Sequence, residues 1–277
     1  MHTIIVDGKK IAEAIIQELQ KHHASKKFLA VFVAGSDPAT ASFIAQKKKI
    51  AALLHIDFRI YAITAGSTND MVREQVRAIA QKKRCGGVII QLPLPLNLNP
   101  WYIANAIPPQ KDVDLLSART IGGFFNGSNG VLPPAVGVVK HLFETYHREV
   151  TSFHKAVIVG HGALVGRPLA AWLAGKVSTV VVIDKGGDMQ HVHDADLIIA
   201  GTGQAGLILP AQCAPESWVI DFGYGTDEIT GKVSGDVLWD ESALSHVGLV
   251  TPTPGGTGPL LVATLFENFF MLTESTH

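Results

Sequence analysis

The predicted fold follows chiefly from one stretch of the sequence, Lys155-Ala156-Val157-Ile158-Val159-Gly160-His161-Gly162-Ala163-Leu164-Val165-Gly166-Arg167-Pro168. An apolar, β-branched run ends abruptly at Gly160, and a helix-like segment follows Gly166. A buried strand, a glycine turn and a helix, in this order, are what a dinucleotide site requires, because the bare backbone and the helix N-terminus can approach a pyrophosphate. The spacing Gly-x-Gly-x-x-x-Gly is one residue longer than the commonest fingerprint. The pattern therefore also fits a strand-to-helix turn that binds nothing.

Strands and helices alternate along the rest of the chain, which predicts parallel sheets with helices on their faces. Apolar runs predict strands at 28–34, 56–63, 87–92, 156–159, 177–183, 197–200, 218–221 and 248–250. Helical spacing and capping residues predict helices that begin near Asp7, Ser36, Thr68, Asn99 and Pro134, and a last helix that ends near Met271. The glycine- and proline-containing segment 107–130 is expected to be a loop.

The chain is long enough for two domains of ordinary size. We expect the α/β class, with two α/β domains and a cleft between them, the second domain being a Rossmann-like doubly wound parallel sheet. Residues 1–132 with 256–277 are expected to form the substrate domain, and residues 133–255 the dinucleotide-binding domain. A cleft between domains is a usual place for a ligand.

Charge and composition argue against several classes of partner. The formal net charge is −1 without a basic block, so neither nucleic acid nor membrane is an expected partner. The N-terminal residues lack the apolar core of a signal peptide, and no apolar run is long enough to span a bilayer, so a cytoplasmic location is expected. Cys85 and Cys213 match no metal spacing, and His22-His23 and His191-x-His193 are typical of solvated surface. No metal is therefore expected.

Three polar residues of the first half stand in apolar surroundings. Lys47 lies among apolar positions of a predicted helix, Gln91 interrupts an apolar run at the carboxyl end of a strand, and Asp114 lies in the loop that follows. Open α/β sheets bind ligands at such strand ends, so an amine, an amide and a carboxylate would surround one cleft. Each also has a structural explanation, since a lysine run is typical of a solvated face, an amide can cap a strand edge, and an aspartate can organise a turn.

Several segments carry a family resemblance that runs nearly from end to end. In order they are Pro38-Ala39-Thr40-Ala41-Ser42-Phe43-Ile44-Ala45-Gln46-Lys47, Gly87-Val88-Ile89-Ile90-Gln91-Leu92-Pro93-Leu94-Pro95, Lys111-Asp112-Val113-Asp114, Val165-Gly166-Arg167-Pro168, Val219-Ile220-Asp221, Gly235-Asp236-Val237 and Thr251-Pro252-Thr253-Pro254-Gly255-Gly256-Thr257-Gly258-Pro259. In these segments the chain resembles the bifunctional methylenetetrahydrofolate dehydrogenase/methenyltetrahydrofolate cyclohydrolase family. The second and the last segments are the most specific.

The resemblance implies a role for each site residue. Lys47 would be the catalytic lysine of the cyclohydrolase step, Gln91 would hydrogen-bond and tune it, and Asp114 would bind the pterin ring. The other substrate-binding positions would be Phe43, Leu92, Pro93, Pro254, Gly255 and Gly256. The cofactor-binding positions would be Gly160, His161, Gly162, Val165, Gly166, Arg167, Asp184, Lys185, Gly201, Thr202, Gly203 and Asp221. The resemblance further implies tetrahydrofolate substrates, a place in purine biosynthesis and a homodimer.

These roles agree with the chemistry of a one-carbon unit held between two nitrogens. Loss of hydride from 5,10-methylenetetrahydrofolate to NAD(P) gives a delocalised methenyl cation, so oxidation needs positioning more than proton transfer. Hydrolysis to 10-formyltetrahydrofolate needs proton movement, which a desolvated lysine with a lowered pKa can provide near neutral pH. We therefore expect an enzyme with both activities.

The chain departs from the family's pattern at four places. Phe43 stands where the family has tyrosine, so the ring can stack on a pterin but offers no hydroxyl for the cyclohydrolase step. Leu115 replaces the glycine expected after Lys-Asp-Val-Asp and would reshape the pterin wall. The segment 132–137 departs from Pro-Cys-Thr-Pro-x-Gly. His161 and Gly162 stand where arginine and serine are common in NADP-using members.

The sequence leaves the choice between NADP and NAD open. The resemblance implies NADP. Asp184 closes the second strand of the dinucleotide domain, where a carboxylate can accept hydrogen bonds from the ribose 2′-hydroxyl and repel a 2′-phosphate, which favours NAD. Lys185 and Arg167 would instead favour the phosphate. NADP is therefore the first expectation and NAD the alternative.

Two other functions fit part of the sequence. A different two-domain NAD(P) oxidoreductase, such as a shikimate-type dehydrogenase, would also use a lysine of the first domain for acid–base work, although the Gln-Leu-Pro-Leu-Pro and Pro-Gly-Gly-x-Gly-Pro segments argue against it. A catalytically impaired paralogue that binds a pterin or nucleotide without turnover would fit the departures at Phe43, Leu115 and His161.

Overall fold

A computed structural model describes residues 3–22, 26–35, 38–226 and 231–274 of the chain. The chain divides into two compact units, and the expected α/β class is confirmed. The six-stranded unit comprises residues 1–12 and 134–261, and the three-stranded unit comprises residues 13–133 and 262–277. The predicted helix start at Ser36 lies outside the described residues.

The helices and strands alternate from β1 to β4 and from α6 to β6, and they do not alternate in between or from β6 to β11. In chain order they are β1 (Ile4–Ile5), α1 (Gly8–Leu19), β2 (Phe28–Ala34), α2 (Pro38–Leu53), β3 (Asp57–Ile63), α3 (Asn69–Ala80), β4 (Cys85–Ile90), α4 (Pro100–Ala104), α5 (Ala118–Phe125), α6 (Pro134–Thr145), β5 (Lys155–Val159), α7 (Gly166–Leu173), β6 (Thr179–Ile183), β7 (Leu197–Ala200), β8 (Trp218–Asp221), β9 (Gly225–Thr226), β10 (Val233–Ser234), β11 (Leu249–Val250) and α8 (Thr257–Glu274). Within the described ranges, every helix is too short or too polar to cross a lipid bilayer.

The six-stranded unit is built on one parallel sheet with the strand order β1-β11-β8-β7-β5-β6. The chain passes from β5 to β6 on one side and then to β7 on the other, so the strand order reverses at β5. The register places Ile183, Val159, Ala200 and Asp221 side by side at the carboxyl edge of this sheet. Open α/β sheets bind ligands outside this edge, at the point of reversal. The expected Rossmann-like doubly wound sheet is thus present.

The three-stranded unit contains a parallel sheet with the order β3-β2-β4. Two helices around it begin at the caps that the sequence predicts. Thr68 Oγ1 accepts a hydrogen bond from the N–H of Met71 (3.3 Å), and Asn99 Oδ1 accepts from the N–H groups of Trp101 (3.0 Å) and Tyr102 (3.1 Å). These side chains satisfy donors that the first turn of a helix leaves free.

The N-terminal strand joins the opposite unit from the one that the domain prediction gave it. β1 pairs in parallel with β11, with Ile4 opposite Leu249 and Ile5 opposite Val250. Residues 1–12 therefore belong with the six-stranded sheet, and the later boundary falls inside α8, after residue 261, rather than at 256. A strand of two residues is too short to show a periodic pattern, so its partner is decided only by tertiary pairing.

The segment 107–130, expected to be a loop, contains helix α5. Ser117 Oγ accepts from the N–H of Thr120 (3.3 Å) at the start of this helix. The buried Asp112 carboxylate accepts from the N–H groups of Leu116 (3.0 Å) and Ser117 (2.8 Å) and from the Thr120 hydroxyl (2.6 Å). Adjacent glycines at 122 and 123 conceal the helix in the sequence, because glycine has a low helix propensity.

Asn268 on α8 is expected to stabilise the backbone of the three-stranded unit near residue 113. Its Nδ2 donates to the carbonyl oxygens of Val113 (2.9 Å) and Leu132 (2.8 Å), and the residue is 5% exposed. Asn268→Leu removes this donor from both carbonyls, so we expect the free energy of unfolding to fall by about 2–5 kcal/mol in urea denaturation. Gln17→Leu, at an exposed position of α1, is the control and should change it by less than about 0.5 kcal/mol. Equal losses in the two variants would contradict this role.

Candidate active site

Lys47 and Gln91 meet in the three-stranded unit. Gln91 follows β4 directly, and its backbone N–H donates to the carbonyl oxygen of Phe32 on the central strand (2.9 Å). Lys47 Nζ, from α2, donates to Gln91 Oε1 at 2.8 Å. Gln91 Nε2 donates in turn to the Leu92 carbonyl oxygen at 2.9 Å. This second bond fixes the orientation of the amide, so its oxygen faces the lysine.

Asp114 acts on the same lysine through its charge. Lys47 is half-buried, and burial lowers the pKa of its ammonium group, while the Asp114 carboxylate raises it. Burial likewise raises the pKa of the Asp114 carboxyl, which Lys47 lowers and Asp112 raises. Both groups are therefore shifted toward their neutral forms, in which they can exchange protons nearer to neutral pH. The structure thus brings Lys47, Gln91 and Asp114 together in one unit.

Leu115, which follows Asp114, has a left-handed backbone with φ +54°. This conformation is strained for a residue with a Cβ atom and unstrained for glycine. The leucine side chain is only 3% exposed, so it adds buried apolar surface at the same position. The leucine at position 115 therefore adds core packing beside Asp114, together with backbone strain that a glycine would avoid.

The remaining predicted substrate residues are divided between the two units. Phe43 lies four residues before Lys47 on α2, on the same face of the helix. Leu92 packs against the apolar core of the three-stranded unit, and Pro93 is exposed after a cis peptide bond. Pro254-Gly255-Gly256 lies in the six-stranded unit, where Pro254 is exposed and Gly256 is buried.

Gly160 and Gly166 occupy positions where a side chain cannot fit. Gly160 has φ +104°, and a Cβ on it would lie 2.7 Å from the Gly201 carbonyl oxygen. A Cβ on Gly166, the first residue of α7, would lie only 1.9 Å from the Gly160 carbonyl oxygen. A Cβ on Gly162 would lie 3.9 Å from its nearest neighbour, the Gly201 carbonyl oxygen. The turn is thus closely packed at two glycines and open at the third, which leaves bare backbone for a ligand such as a pyrophosphate.

The loop after β7 lies against this turn. The Gly160 N–H donates to the Ile183 carbonyl oxygen at the end of β6 (2.8 Å). A Cβ on Gly201 would lie 2.9 Å from Cγ1 of Val165, so loop and turn are in close contact. Residues 202 and 203 continue the loop and are exposed. The predicted cofactor positions of the turn and of this loop therefore share one edge of the sheet.

The charged cofactor positions are exposed at the same edge. Asp184 follows β6, and its Oδ1 accepts from the Lys185 backbone N–H at 2.9 Å. The second oxygen, Oδ2, receives no hydrogen bond from the described residues. Arg167 Nε donates to the His161 carbonyl oxygen at 3.2 Å, which holds the guanidinium over the glycine turn.

Asp221, a predicted cofactor-binding residue, is not available to a ligand. It is 2% exposed, and its oxygens accept from the N–H groups of Gly223 (2.6 Å) and Val237 (2.9 Å). Asp236, for which the sequence predicts no role, is fully buried and accepts from the Thr202 N–H at 2.5 Å. In the sequence, the Gly235-Asp236-Val237 motif is the feature that draws attention to this residue.

In the part of the chain that the structure describes, no three His, Cys, Asp or Glu side chains are grouped to hold a metal ion.

Gly166→Ala is expected to disrupt the dinucleotide turn, because the added methyl group would overlap the Gly160 carbonyl oxygen. We expect a loss of about 1–3 kcal/mol in unfolding free energy and at least about tenfold weaker binding of NADH or NADPH in a fluorescence titration. Gly162→Ala, where the methyl group has room, should preserve stability to within about 0.5 kcal/mol. Equal destabilisation by the two alanines would be inconsistent with this packing.

Leu115→Ala and Leu115→Gly separate backbone strain from side-chain burial. Both variants lose the buried leucine and should be less stable than the parent by about 2–5 kcal/mol. Only glycine relieves the left-handed backbone, so we expect the glycine variant to be the more stable of the two by about 1 kcal/mol in urea denaturation. At the buried neighbour Leu116 the order should be reversed; the same order at both positions would argue against strain at Leu115.

Comparison with protein families gives matches in both halves of the chain. Residues 6–114 match the family described as "Tetrahydrofolate dehydrogenase/cyclohydrolase, catalytic domain". Residues 133–277 match "Tetrahydrofolate dehydrogenase/cyclohydrolase, NAD(P)-binding domain". The first range contains Lys47, Gln91 and Asp114, and the second contains the glycine turn.

Similar proteins cover nearly the whole chain. The "Bifunctional protein FolD" of Levilactobacillus brevis is 35% identical, over 98% of this chain and 97% of its own. "Bifunctional protein FolD 1" of Acinetobacter baylyi is 31% identical, over 99% and 95%. The crystal structure of the "Bifunctional Enzyme FolD-Methylenetetrahydrofolate Dehydrogenase/Cyclohydrolase" from Campylobacter jejuni has a TM-score of 0.90 at 28% identity, over 99% of this chain and 100% of that one. This chain therefore belongs to the tetrahydrofolate dehydrogenase/cyclohydrolase family that its motifs predict.

Proposed function

We propose that this protein oxidises 5,10-methylenetetrahydrofolate to the methenyl form, with NAD(P) as hydride acceptor, and hydrolyses the methenyl form to 10-formyltetrahydrofolate. The observation that carries the proposal is the hydrogen bond from Lys47 Nζ to Gln91 Oε1, with Asp114 acting on the same lysine. This cluster lies in the range that matches the family's catalytic domain.

The hydrolytic step uses Lys47 as the group that moves protons. Because burial lowers the pKa of Lys47, more of its amine is neutral near neutral pH and has a lone pair to accept a proton from the attacking water. A neutral amine still has N–H groups, so its bond to Gln91 Oε1 can persist in both protonation states and keep Nζ oriented. Phe43 offers an aromatic face but no hydroxyl, so Gln91 and Asp114 are the polar groups that control this lysine.

The oxidation step depends on orientation. Hydride leaves a carbon between two nitrogens, and the positive charge is delocalised over both, so no strong base is needed. Bound NAD(P) supplies the hydride acceptor. Gly160, Gly162 and Gly166 would hold its pyrophosphate against bare backbone at the start of α7, and residues 201–203 would line the adjacent edge.

Within this function, we propose NAD rather than NADP as the preferred cofactor. Asp184 is exposed after β6, and its Oδ1 is oriented by the Lys185 N–H. A carboxylate at this position accepts hydrogen bonds from the ribose 2′-hydroxyl and repels the 2′-phosphate of NADP. Arg167, which would favour the 2′-phosphate, donates through Nε to the His161 carbonyl oxygen.

An absorbance assay tests both activities in one experiment. Purified protein is mixed with 5,10-methylenetetrahydrofolate and NAD or NADP, and reduced cofactor and methenyl product are followed separately, with the spontaneous hydrolysis rate subtracted. Reduced cofactor without methenyl accumulation is the expected result. Accumulated methenyl product would overturn the hydrolytic half, with Phe43 the first residue to restore to tyrosine. Pterin or nucleotide binding without any reduction would indicate the paralogue that does not turn over.

Lys47→Met is expected to abolish hydrolysis while oxidation continues. The methionine retains the apolar stem but cannot move a proton, so the hydrolysis rate should fall by at least about 10²-fold in the methenyl assay. Lys48→Met, one position along α2 and exposed, is the control and should keep both rates. Near-normal hydrolysis by the Lys47 variant would contradict the role of Lys47 in the hydrolytic step.

Asp184→Ser is expected to shift the preference from NAD toward NADP, because the carboxylate that repels the 2′-phosphate is removed. The ratio of kcat/KM for NADP to that for NAD should rise at least about tenfold. Asp188→Ser is the control, since this exposed aspartate caps the Gln190 N–H (2.9 Å) and serine can cap as well. An unchanged ratio in the Asp184 variant would refute the preference for NAD.

A further inference from the structure

We propose that Asp236 and Asp221 are positioning residues that hold the cofactor loop, defined as residues 201–204, in the shape that binds NAD(P). The inference rests on the proposed function and adds two residues that do not themselves touch the cofactor. It follows from a chain of hydrogen bonds that runs from the end of β8 to this loop.

The first link joins Asp236 to the cofactor loop. Asp236 Oδ2 accepts from the Thr202 N–H at 2.5 Å. Burial raises the pKa of the Asp236 carboxyl, whereas hydrogen bonds from Thr202, Gly203 and Gln204 lower it. Thr202 Oγ1 accepts from the Gln204 N–H (3.1 Å) and closes the turn. The Thr202 N–H is thus held by a buried carboxylate, and the Thr202 hydroxyl in turn holds the Gln204 N–H.

The second link joins Asp221 to the segment that carries Asp236. Asp221, the last residue of β8, accepts from the Gly223 N–H through Oδ1 (2.6 Å) and from the Val237 N–H through Oδ2 (2.9 Å). The Gly206 N–H donates to the Gly235 carbonyl oxygen (3.0 Å), which ties this segment again to the chain just beyond the loop. Asp221 therefore fixes the backbone from which Asp236 reaches the loop.

Two glycines make room for these carboxylates. A Cβ on Gly235 would lie 2.1 Å from Asp221 Oδ2, and a Cβ on Gly223 would lie 2.2 Å from Asp236 Oδ1. Any larger residue at either position would displace a carboxylate. The glycine of the Gly235-Asp236-Val237 motif is thus explained by Asp221 at the end of β8.

The loop that Asp236 holds lies directly against the dinucleotide turn. A Cβ on Gly160 would be 2.7 Å from the Gly201 carbonyl oxygen, so the loop lies too close to the turn for any side chain at position 160. Burying two carboxylates is unfavourable in itself, and Asp236 Oδ1 finds no hydrogen-bond partner among the described residues. Asp221 is 2% exposed and Asp236 is 0% exposed, so solvent does not screen the hydrogen bonds that these two carboxylates accept.

The test compares Asp236→Asn and Asp221→Asn with Asp194→Asn, an exposed aspartate of the same unit whose ion pair with Lys155 is expected to contribute little. At position 236, an asparagine would turn one of two groups toward the Thr202 N–H. The N–H₂ group cannot accept a hydrogen bond, and the amide oxygen is a weaker acceptor than a carboxylate. We expect Asp236→Asn to raise the Kd for NAD, measured by calorimetric titration, at least about tenfold. Asp221→Asn should act in the same direction with a smaller effect, and Asp194→Asn should leave Kd unchanged.

Three further readouts separate positioning from general stability. The KM for NAD should rise more than kcat falls, and hydrolysis of the methenyl substrate, which uses Lys47 in the other unit, should be unchanged. Hydrogen exchange should accelerate at residues 202–204 and not in β5. A Kd unchanged in both variants would overturn the inference, as would faster exchange throughout the six-stranded unit. Failure of the wild-type protein to reduce either cofactor would instead overturn the proposed function.

Discussion

Parallel strands that end in register are the constraint on which both halves of the chain depend. Because Val159 pairs with Ile183 and Ala200, the turn after β5 and the loop after β7 must leave the sheet at the same edge. In the three-stranded unit, Gln91 likewise leaves β4 beside the end of the central strand. Strand order and register thus bring together residues that are far apart in the sequence.

Partial burial lowers the pKa of Lys47. A fully solvated lysine would stay protonated near neutral pH, whereas burial lowers the pKa of this one and the negative charge of Asp114 limits the shift. Gln91 contributes geometry without charge, since its amide is oriented by the Leu92 carbonyl oxygen. The lysine is therefore tuned by two neighbours with different effects, one on its orientation and one on its proton affinity.

Four aspartates that are buried or half-buried divide into two groups according to the groups that surround them. Asp112, Asp221 and Asp236 accept backbone N–H groups and so fix the turns around them. Asp114 differs, because its main charged neighbour is the side chain of Lys47. A carboxylate occupied by backbone donors is a structural support, while one that faces an amine can take part in proton exchange. This distinction cannot be made from residue type, since Asp112 and Asp114 stand two positions apart in one motif.

The α/β class, the family and the strands from β2 to β8 could be predicted from the amino-acid sequence, because long apolar runs and glycine turns are local signals. Its motifs also predicted one site for Lys47, Gln91 and Asp114, which the structure brings close together. The structure was needed to show that β1 joins the six-stranded sheet, that 118–125 is helical, and that Asp221 and Asp236 accept backbone N–H groups around the loop. The strand β1 and the two aspartates depend on hydrogen-bond partners that are distant in the sequence, and the helix 118–125 depends on side-chain caps, so none of them leaves a periodic pattern.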